Sequence, residues 1–479
     1  MLFTTFPFPL FLMAVILLYW IVFKRSVMLQ NIYLILVNLT FYGLWNYRWI
    51  PILLLNSVAC YLAGLSLGWV SSRRTRRILL ALCLTVSVGT LLLLKYYDFF
   101  ASSFEGLLGM MGLRVSLPVI RLILPVGISF YTLMILSYPL DVYFKRMEPQ
   151  KDIVSFLAFS SFFPLILSGP IERARNMMPQ FLKKRQFNES LAKDGLRQIL
   201  WGILMKVVIA DNIAPVVDHI FADYLQMDGL NLVFGILFFT VQIYCDFAGY
   251  SYIAIGVASL FGFSVMRNFA FPYLSRDIAE FWRRWHISLS TWFRDYIFMP
   301  FCGNRPGKTR KVLGILVTFA VSGLWHGAAW IFVVWGILHG LFFVPRTVHR
   351  RIRVSSGAVV AQNRSFPGIR DIRAIVFTFS MVSLAWLLFR APSIPFAISY
   401  MGTIFSNPYI PGTDHFGNWP VMIACIGLFV IEWFQRRRKH GMDIAFMPVT
   451  ARWSIYYLSV LILIFFGDFG GRNFIYAEF

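Results

Sequence analysis

The stretch Val-Ser-Gly-Leu-Trp-His-Gly-Ala-Ala-Trp, residues 321–330, decides how this chain folds. It places His326 inside an apolar segment from Val312 to Pro345, where His339 is the one other ionisable side chain. An imidazole in hydrocarbon loses its hydration, so a histidine inside a membrane segment usually lies in a protein-lined cavity, where it binds a ligand or moves a proton. The stretch therefore predicts an integral membrane protein with its chemistry at His326.

The composition predicts the same class. Hydrophobic residues make up 58% of the 479 residues, charged residues make up 14%, and the mean hydropathy is +0.68, which is too apolar for a soluble globule. We expect an all-α polytopic fold with roughly ten crossings, some tilted or re-entrant, in a single domain over residues 1–479. The apolar runs that predict these crossings are Phe8 to Phe23, Ile52 to Val70, Ile78 to Leu94, Ile153 to Leu167, Leu230 to Phe261, Val312 to Val344, Ile375 to Phe389, Val421 to Phe434 and Trp453 to Phe466.

The net charge of +22 is distributed as membrane proteins distribute it. Basic residues gather in short clusters between the apolar runs, which is typical of cytoplasmic loops, and no soluble domain remains to present a basic face to a nucleic acid. We therefore expect membrane lipid around the chain and no nucleic acid partner. The clusters are Lys24 and Arg25; Arg73, Arg74, Arg76 and Arg77; Lys183, Lys184 and Arg185; Arg346, Arg350, Arg351 and Arg353; and Arg436, Arg437, Arg438 and Lys439.

The same charges predict the orientation. The first five residues carry no Lys or Arg, whereas Lys24 and Arg25 follow the first run, so the N-terminus should face the outside. Segment 346–373 holds seven arginines and should be cytoplasmic, and segment 391–419 holds no Lys or Arg and should be external. Two further crossings then place a C-terminal tail, residues 468–479, outside.

The cysteines indicate no special chemistry. The five are scattered, with no CxxC pair and no spacing suited to zinc, so we expect neither a metal site nor a disulfide framework.

A second informative stretch runs from Asp277 to Asp295. At helical spacing Trp282, Trp285, Leu289 and Phe293 form one stripe, and Arg283, His286, Ser290 and Arg294 form another. Such a helix suits the membrane interface, with indole rings at headgroup depth and arginines reaching toward water or phosphate. An anchor helix without chemistry and a helix that lines a site through His286 both remain open.

Two further ionisable residues lie inside apolar runs. Asp246 is the sole charge between Leu230 and Phe261, so we expect it to pair with an Arg or His of another helix. His339 follows His326 by thirteen residues, which places it off the same helix face unless the helix breaks at Gly327 or Gly336.

Five motifs resemble those of the membrane-bound O-acyltransferase (MBOAT) superfamily, in the bacterial branch that serves alginate O-acetylation and teichoic acid D-alanylation. The resemblance extends from about Leu124 to His339 and more loosely over the rest of the chain. The motifs are Leu-Pro-Val-Gly-Ile-Ser-Phe-Tyr (124–131), Asp-Phe-Ala-Gly-Tyr-Ser (246–251), Phe-Trp-Arg-Arg-Trp-His-Ile-Ser-Leu-Ser (281–290), Cys-Gly-Asn-Arg (302–305) and Gly-Leu-Trp-His-Gly (323–327).

The resemblance implies an MBOAT-like fold in which His326 is the catalytic residue and His286 lies at or near the site. It also implies a thioester donor such as acetyl-CoA that enters from the cytoplasm, with no permanently bound cofactor. Arg305 and Lys308 are candidates to meet the phosphates of the donor, although ordinary loop charge explains them equally well. We expect the remaining site-lining residues to be Arg283, Trp285, Ser288, Trp325 and Asp246.

The C-terminal sequence Asn-Phe-Ile-Tyr-Ala-Glu-Phe, 473–479, resembles a tail found in bacterial cell-envelope acylation systems. There the tyrosine, here Tyr476, is implied to carry the acyl group as a phenyl ester. A phenol is a better leaving group than a sugar hydroxyl, so such an ester could serve as a relay. An aromatic tail that only anchors the chain at the interface is the alternative.

Two functional hypotheses follow. The first is a multi-pass enzyme of a bacterial inner membrane that moves acetyl groups outward for O-acetylation of a polysaccharide, completed by a periplasmic or extracellular O-acetyltransferase partner. The second is a transporter or flippase of a lipid-linked glycan, with Asp246, His286 and His326 as gating or proton-relay groups. Release of free CoA from acetyl-CoA would distinguish the first from the second.

Overall fold

The computed structural model describes residues 3–120, 124–303, 307–349, 359–407, 419–472 and 474–475. Every regular element in these ranges is helical, which confirms the all-α prediction. The chain divides into two compact units, Met1–Ala192 with Val257–Met266, and Lys193–Gly256 with Arg267–Phe479. A single domain over 1–479 stays a prediction.

Ten helices begin among the described residues of the first unit, and the last of them, α10, continues into the second unit. They are α1 (Pro7–Ile21), α2 (Val27–Asn46), α3 (Ile50–Trp69), α4 (Arg73–Leu91), α5 (Tyr97–Met110), α6 (Ile128–Tyr143), α7 (Ile153–Ser160), α8 (Phe163–Ile166), α9 (Ala174–Phe181) and α10 (Glu189–Ile203).

The second unit begins within α10. Its other helices are α11 (Asp211–Ala222), α12 (Gly229–Leu260), α13 (Ile278–Arg284), α14 (Ile287–Phe293), α15 (Met299–Cys302), α16 (Lys308–His326), α17 (Trp330–His349), α18 (Ile369–Arg390), α19 (Ile394–Ser406), α20 (Trp419–Gln435) and α21 (Val449–Phe466). A π-helical segment, Leu204–Ala210, joins α10 to α11.

Six helical segments among the described residues are long and apolar enough to cross a membrane, and four shorter apolar helices accompany them. Apolar side chains cover the outside of several of these helices. On α21, for example, Tyr457, Leu461 and Phe465 are all exposed. An apolar helix with exposed apolar side chains suits lipid and not water, as expected of a multi-pass membrane protein. The six segments are Val27–Trp69, Arg73–Met110, Glu189–Ala222, Gly229–Leu260, Ile369–Arg390 and Val449–Phe466.

The prediction of a crossing over Ile153 to Leu167 is wrong. The run forms two short helices, α7 and α8, with a break at Ser161 and Phe162. Asn38 of α2 holds this break, because its side chain donates to the Ser161 hydroxyl at 3.1 Å and accepts from the backbone N–H of Phe163 at 3.1 Å. Helix α2 itself is not among the predicted runs, since buried amides such as Asn38 interrupt its apolar character.

In the second unit, glycines bring α10 and α12 into backbone contact. Helix α12 has 32 residues and is about 48 Å long. A Cβ added at Gly249 would lie 2.8 Å from the carbonyl oxygen of Gly202, and one added at Gly256 would collide with the carbonyl oxygen of Gly195. The seven-residue spacing repeats on both helices, so the contact follows one face of each.

The apolar segment Val312 to Pro345 is not one continuous helix. Helix α16 ends at His326, Gly327 is extended, and α17 begins at Trp330. The two helices pack tightly against each other, because a Cβ at Gly323 would collide with the carbonyl oxygen of Phe332, and one at Gly336 would collide with that of Phe319. The helix breaks at Gly327, which is one of the two positions where a break would let His326 and His339 come near each other.

Gly323→Ala should destabilise the second unit by about 1–3 kcal/mol, because the added methyl group has no space beside the backbone of α17. Gly427→Ala is the matched control, since a Cβ at this α20 position meets no atom within 4 Å among the described residues. Alanine is the better helix former, so the control should be as stable as the native chain or more stable. Thermal unfolding in detergent checks both, and a Gly323→Ala variant as stable as Gly427→Ala would contradict the tight packing.

Candidate functional site

His326 is the last residue of α16 and is buried at 3% exposure. Aromatic rings surround its imidazole. The ring centroids of Trp325, Trp335 and Phe389 lie 5.0, 5.2 and 5.4 Å from that of His326. Three helices, α16, α17 and α18, thus contribute to one aromatic enclosure around a single imidazole.

His286 lies in the same enclosure. Its ring centroid is 6.4 Å from that of His326, and Trp325 contacts both imidazoles. Phe247 of α12 packs edge-to-face against the His286 ring at 4.5 Å. The structure therefore brings together the two histidines that the sequence placed forty residues apart.

The prediction of one continuous helix with two stripes over 277–295 is wrong. Helix α13 ends at Arg284, α14 begins at Ile287, and His286 between them adopts a left-handed backbone with φ 41°. Asn268 holds this turn. Its carbonyl oxygen accepts from the Ile287 N–H at 2.9 Å, and its side-chain oxygen accepts from the Ser288 hydroxyl at 2.9 Å.

The aromatic stripe is buried inside the protein and does not face lipid as an anchor helix would. Trp282 is 7% exposed and contacts Trp335. Trp285 is 1% exposed and packs against Trp386 of α18 at 4.9 Å. These indoles fill the interior between α13, α17 and α18, so protein side chains and not lipid surround them.

The buried position of His286 determines its protonation. His286 lies outside the candidate membrane spans. Burial, followed by the neighbouring His326, holds the pKa of its imidazole well below the ordinary value. A neutral imidazole has one nitrogen that accepts a proton and one that donates a hydrogen bond. The His286 ring can therefore offer one acceptor and one donor nitrogen at neutral pH.

His339 is separate from this pair. It is fully buried on α17, and Trp335 contacts both His339 and His326, at 4.8 and 5.2 Å. The His339 ring otherwise packs among aromatic side chains such as Trp282 and Phe342. The Trp335 indole thus contacts both imidazoles. His339 itself is a packed residue of the aromatic core.

A cavity of about 600 Å³ approaches the histidines along α16. Its lining extends from Lys311 near the start of α16 to Ser322, which is one helical turn before His326, a length of about 16 Å. Arg283 and Arg294 also line it. The cavity therefore carries positive charge at its wall, and its lining includes Ile287, which follows His286, and Ser322, one turn before His326.

The C-terminal segment approaches the site from α12. The backbone N–H of Ile475 donates to Asp246 Oδ2 at 2.8 Å. The Phe474 ring packs against Phe247 at 5.6 Å and against Tyr250 at 4.8 Å. Since Phe247 also contacts His286, one aromatic ring separates the tail from the imidazole pair.

Asp246 pairs with a basic residue of another helical segment, as expected, but the partner is Lys206 and not an Arg or His. Lys206 Nζ lies 2.5 Å from Asp246 Oδ1 and 2.7 Å from Asp211 Oδ1. All three line a second cavity, of about 290 Å³, together with Ile475 and Arg390.

The other predicted site residues take different places. Trp325 touches both imidazoles, and Ser288 donates to Asn268 at the turn that carries His286. Trp285 precedes His286 and packs against Trp386. Lys308 is exposed at the start of α16. Arg305 and Tyr476 lie outside the described residues.

Sequence reasoning missed several residues that shape the site. Lys206 is the lone charge between Arg197 and Asp211, a signal of the same kind as Asp246, and it could have been found. Phe247, Asn268 and Phe389 gave no such signal, because rings and amides of their kind recur along the chain.

Residues 132–389 match the model of the membrane-bound O-acyltransferase family. The probable alginate O-acetylase AlgI of Azotobacter vinelandii is 34% identical over 391 residues, which cover 81% of this chain and 74% of that protein. The peptidoglycan O-acetyltransferase of Helicobacter pylori is 31% identical over 405 residues, which cover 79% of this chain and 74% of that protein.

A teichoic acid D-alanyltransferase of Streptococcus thermophilus is 32% identical over 251 residues, which cover 49% of this chain and 60% of that protein. The matched family region contains both histidines of the aromatic enclosure. The resemblance seen in the motifs is confirmed, and the chain belongs to the membrane-bound O-acyltransferase family of multi-pass membrane enzymes.

Proposed function

We propose that this chain moves acetyl groups from a cytoplasmic thioester, acetyl-CoA or another acyl carrier, to the outside of a bacterial inner membrane, for O-acetylation of a polysaccharide. The observation that carries the proposal is the imidazole pair, His286 and His326, enclosed by aromatic rings between a basic cavity and the C-terminal segment. The names of the O-acetylating relatives support the acetyl group and the polymer.

His326 acts as the general base. Its imidazole takes the proton of an attacking hydroxyl while that oxygen bonds to the thioester carbonyl carbon, and the carbon–sulfur bond then breaks to release the thiolate, which takes up a proton. His286, neutral in its buried position, donates a hydrogen bond to the oxyanion that develops on the carbonyl oxygen. The aromatic enclosure excludes the water that would hydrolyse the thioester.

The donor enters through the 600 Å³ cavity. This volume lies within the range of small-molecule sites, and Arg283, Arg294 and Lys311 at its wall suit phosphate groups. An acyl chain directed along α16 toward Ser322 arrives one turn before His326. Arg305 and Lys308 stay the candidates from the sequence for further contacts with the donor's phosphates.

Tyr476 receives the acetyl group and passes it on. The backbone N–H of its neighbour Ile475 donates a hydrogen bond to Asp246. Phe474 packs on Phe247, which contacts His286. An acetylated phenol can then be attacked by a hydroxyl in a periplasmic or extracellular acetyltransferase, with the phenolate as leaving group. This partner transfers the group to the polymer.

His326→Ala should reduce release of CoA from acetyl-CoA by about 10²–10⁴-fold, because a general base contributes a factor of this size. His339→Ala is the matched control, since it removes the same side chain from a buried aromatic environment on the neighbouring helix. The control should retain most of the activity. Thiol release by purified protein with its partner measures both, and equal losses in the two variants would contradict the role of His326.

Tyr476→Phe keeps the aromatic ring and removes the hydroxyl. We expect it to bind donor normally and to fail to acetylate the polymer, because no oxygen remains to accept the acetyl group. In the native chain without its partner, mass spectrometry of the C-terminal peptide should find an added acetyl group on Tyr476. Normal polymer acetylation by Tyr476→Phe would leave the tail as an anchor only.

A further inference from the structure

The C-terminal segment is attached to the second unit by a polar contact with a buried acid. Asp246 is 1% exposed, and its two carboxylate oxygens have different partners. Oδ1 pairs with Lys206 Nζ at 2.5 Å, and Oδ2 accepts the backbone N–H of Ile475 at 2.8 Å. A hydrogen bond to a buried charged acceptor is stronger than one between neutral groups.

The fold of α10 and α12 makes this arrangement possible. Gly249, three residues after Asp246, lets the backbone of α10 approach α12 closely at Gly202. Lys206 follows Gly202 by four residues in the π-helical segment, so the close approach brings its side chain to Asp246. Asp211 holds the same ammonium at 2.7 Å, which fixes Lys206 from a second side.

The tail is seated by side-chain contact as well. Phe474 is 5% exposed and lies against Phe247 and Tyr250, both on the helix that carries Asp246. Two aromatic contacts of Phe474 and one backbone hydrogen bond of Ile475 therefore fix two consecutive residues of the tail. Tyr476 follows directly in the sequence, so fixing Ile475 limits the volume that the phenol can sample.

We propose that Asp246, oriented by Lys206, is a positioning residue that holds the C-terminal segment at Ile475 and so presents the relay tyrosine to the imidazole pair. The inference rests on the proposed relay function. Its effect is one of proximity, because a held nucleophile meets the donor far more often than a free tail does. Because the backbone N–H of Ile475 makes the contact, the contact requires the Asp246 carboxylate but no particular side chain at position 475.

The test uses the full-length chain with a nitroxide label at Ala477→Cys, in a background where Cys425→Ser removes the one described cysteine that is not buried. Ile475→Pro deletes the N–H donor, and Ile475→Val, with a β-branched side chain and an intact N–H, is the matched control. Asp246→Ala removes the acceptor and leaves Lys206 paired with Asp211.

We expect Ile475→Pro and Asp246→Ala to increase nitroxide mobility and to lower polymer acetylation roughly tenfold to a hundredfold, while Ile475→Val behaves as the native chain. Asp246→Asn keeps one acceptor oxygen, for which the Lys206 ammonium and the Ile475 N–H compete, so its nitroxide mobility should lie between those of the native chain and Asp246→Ala. Unchanged mobility in Ile475→Pro, with the acceptor intact and the donor removed, would overturn the hydrogen bond as the holding contact.

The experiments distinguish a failure of the Tyr476 relay from a failure of the positioning role of Asp246. The nitroxide spectrum requires no acetyl transfer, so the attachment of the tail can be read even if Tyr476→Phe acetylates polymer normally and the relay is wrong. If Tyr476→Phe is inactive but Ile475→Pro and Asp246→Ala acetylate polymer at the native rate with a mobile tail, the relay stands and the positioning role of Asp246 is overturned.

Discussion

The close packing of α16 against α17 is the constraint on which the candidate site depends. Only three residues join the two helices, so they run side by side, and Gly323 and Gly336 leave no space for a side chain where the backbones meet. Because α16 ends at His326, the imidazole lies where the chain turns. There it meets Trp335 from the returning helix and Phe389 from α18. A continuous helix would carry His326 into the middle of a span, away from these partners.

Two of the ionisable site residues could be predicted from the sequence for one physical reason. A histidine or carboxylate inside an apolar run costs free energy, so it stands out and points to a cavity or a partner. His326 and Asp246 were found in this way, whereas His286 was found on a polar stripe beside two arginines and through the family resemblance. The aromatic enclosure could not be predicted, because aromatic residues make up 18% of the chain and one ring cannot be told from another in sequence.

Two of the three helix breaks could not be predicted, and the cause is the same in both. Asn38 holds the break between α7 and α8, and Asn268 holds the turn at His286. Each amide lies far from the break along the chain, outside the local window. The third break was foreseen as a possibility at Gly327 or Gly336, and the structure has it at Gly327. Apolar periodicity describes a helix face, but a distant amide that satisfies the freed backbone groups decides where the helix ends.

The Asp246 carboxylate shows how a buried polar group can connect two parts of a membrane protein. A structural ion pair is complete when Lys206 is bound, and nothing in its stability requires a third donor. Here the second oxygen accepts a backbone N–H from the tail, and a backbone donor is available from any residue except proline. Specificity for this segment must therefore come from elsewhere, and Phe474 supplies it by packing on Phe247 and Tyr250. Phe247 also contacts His286. One side chain therefore both packs against the tail and borders the imidazole pair. In the proposed relay, the tail consequently docks on the same side chain that helps to enclose the reacting groups.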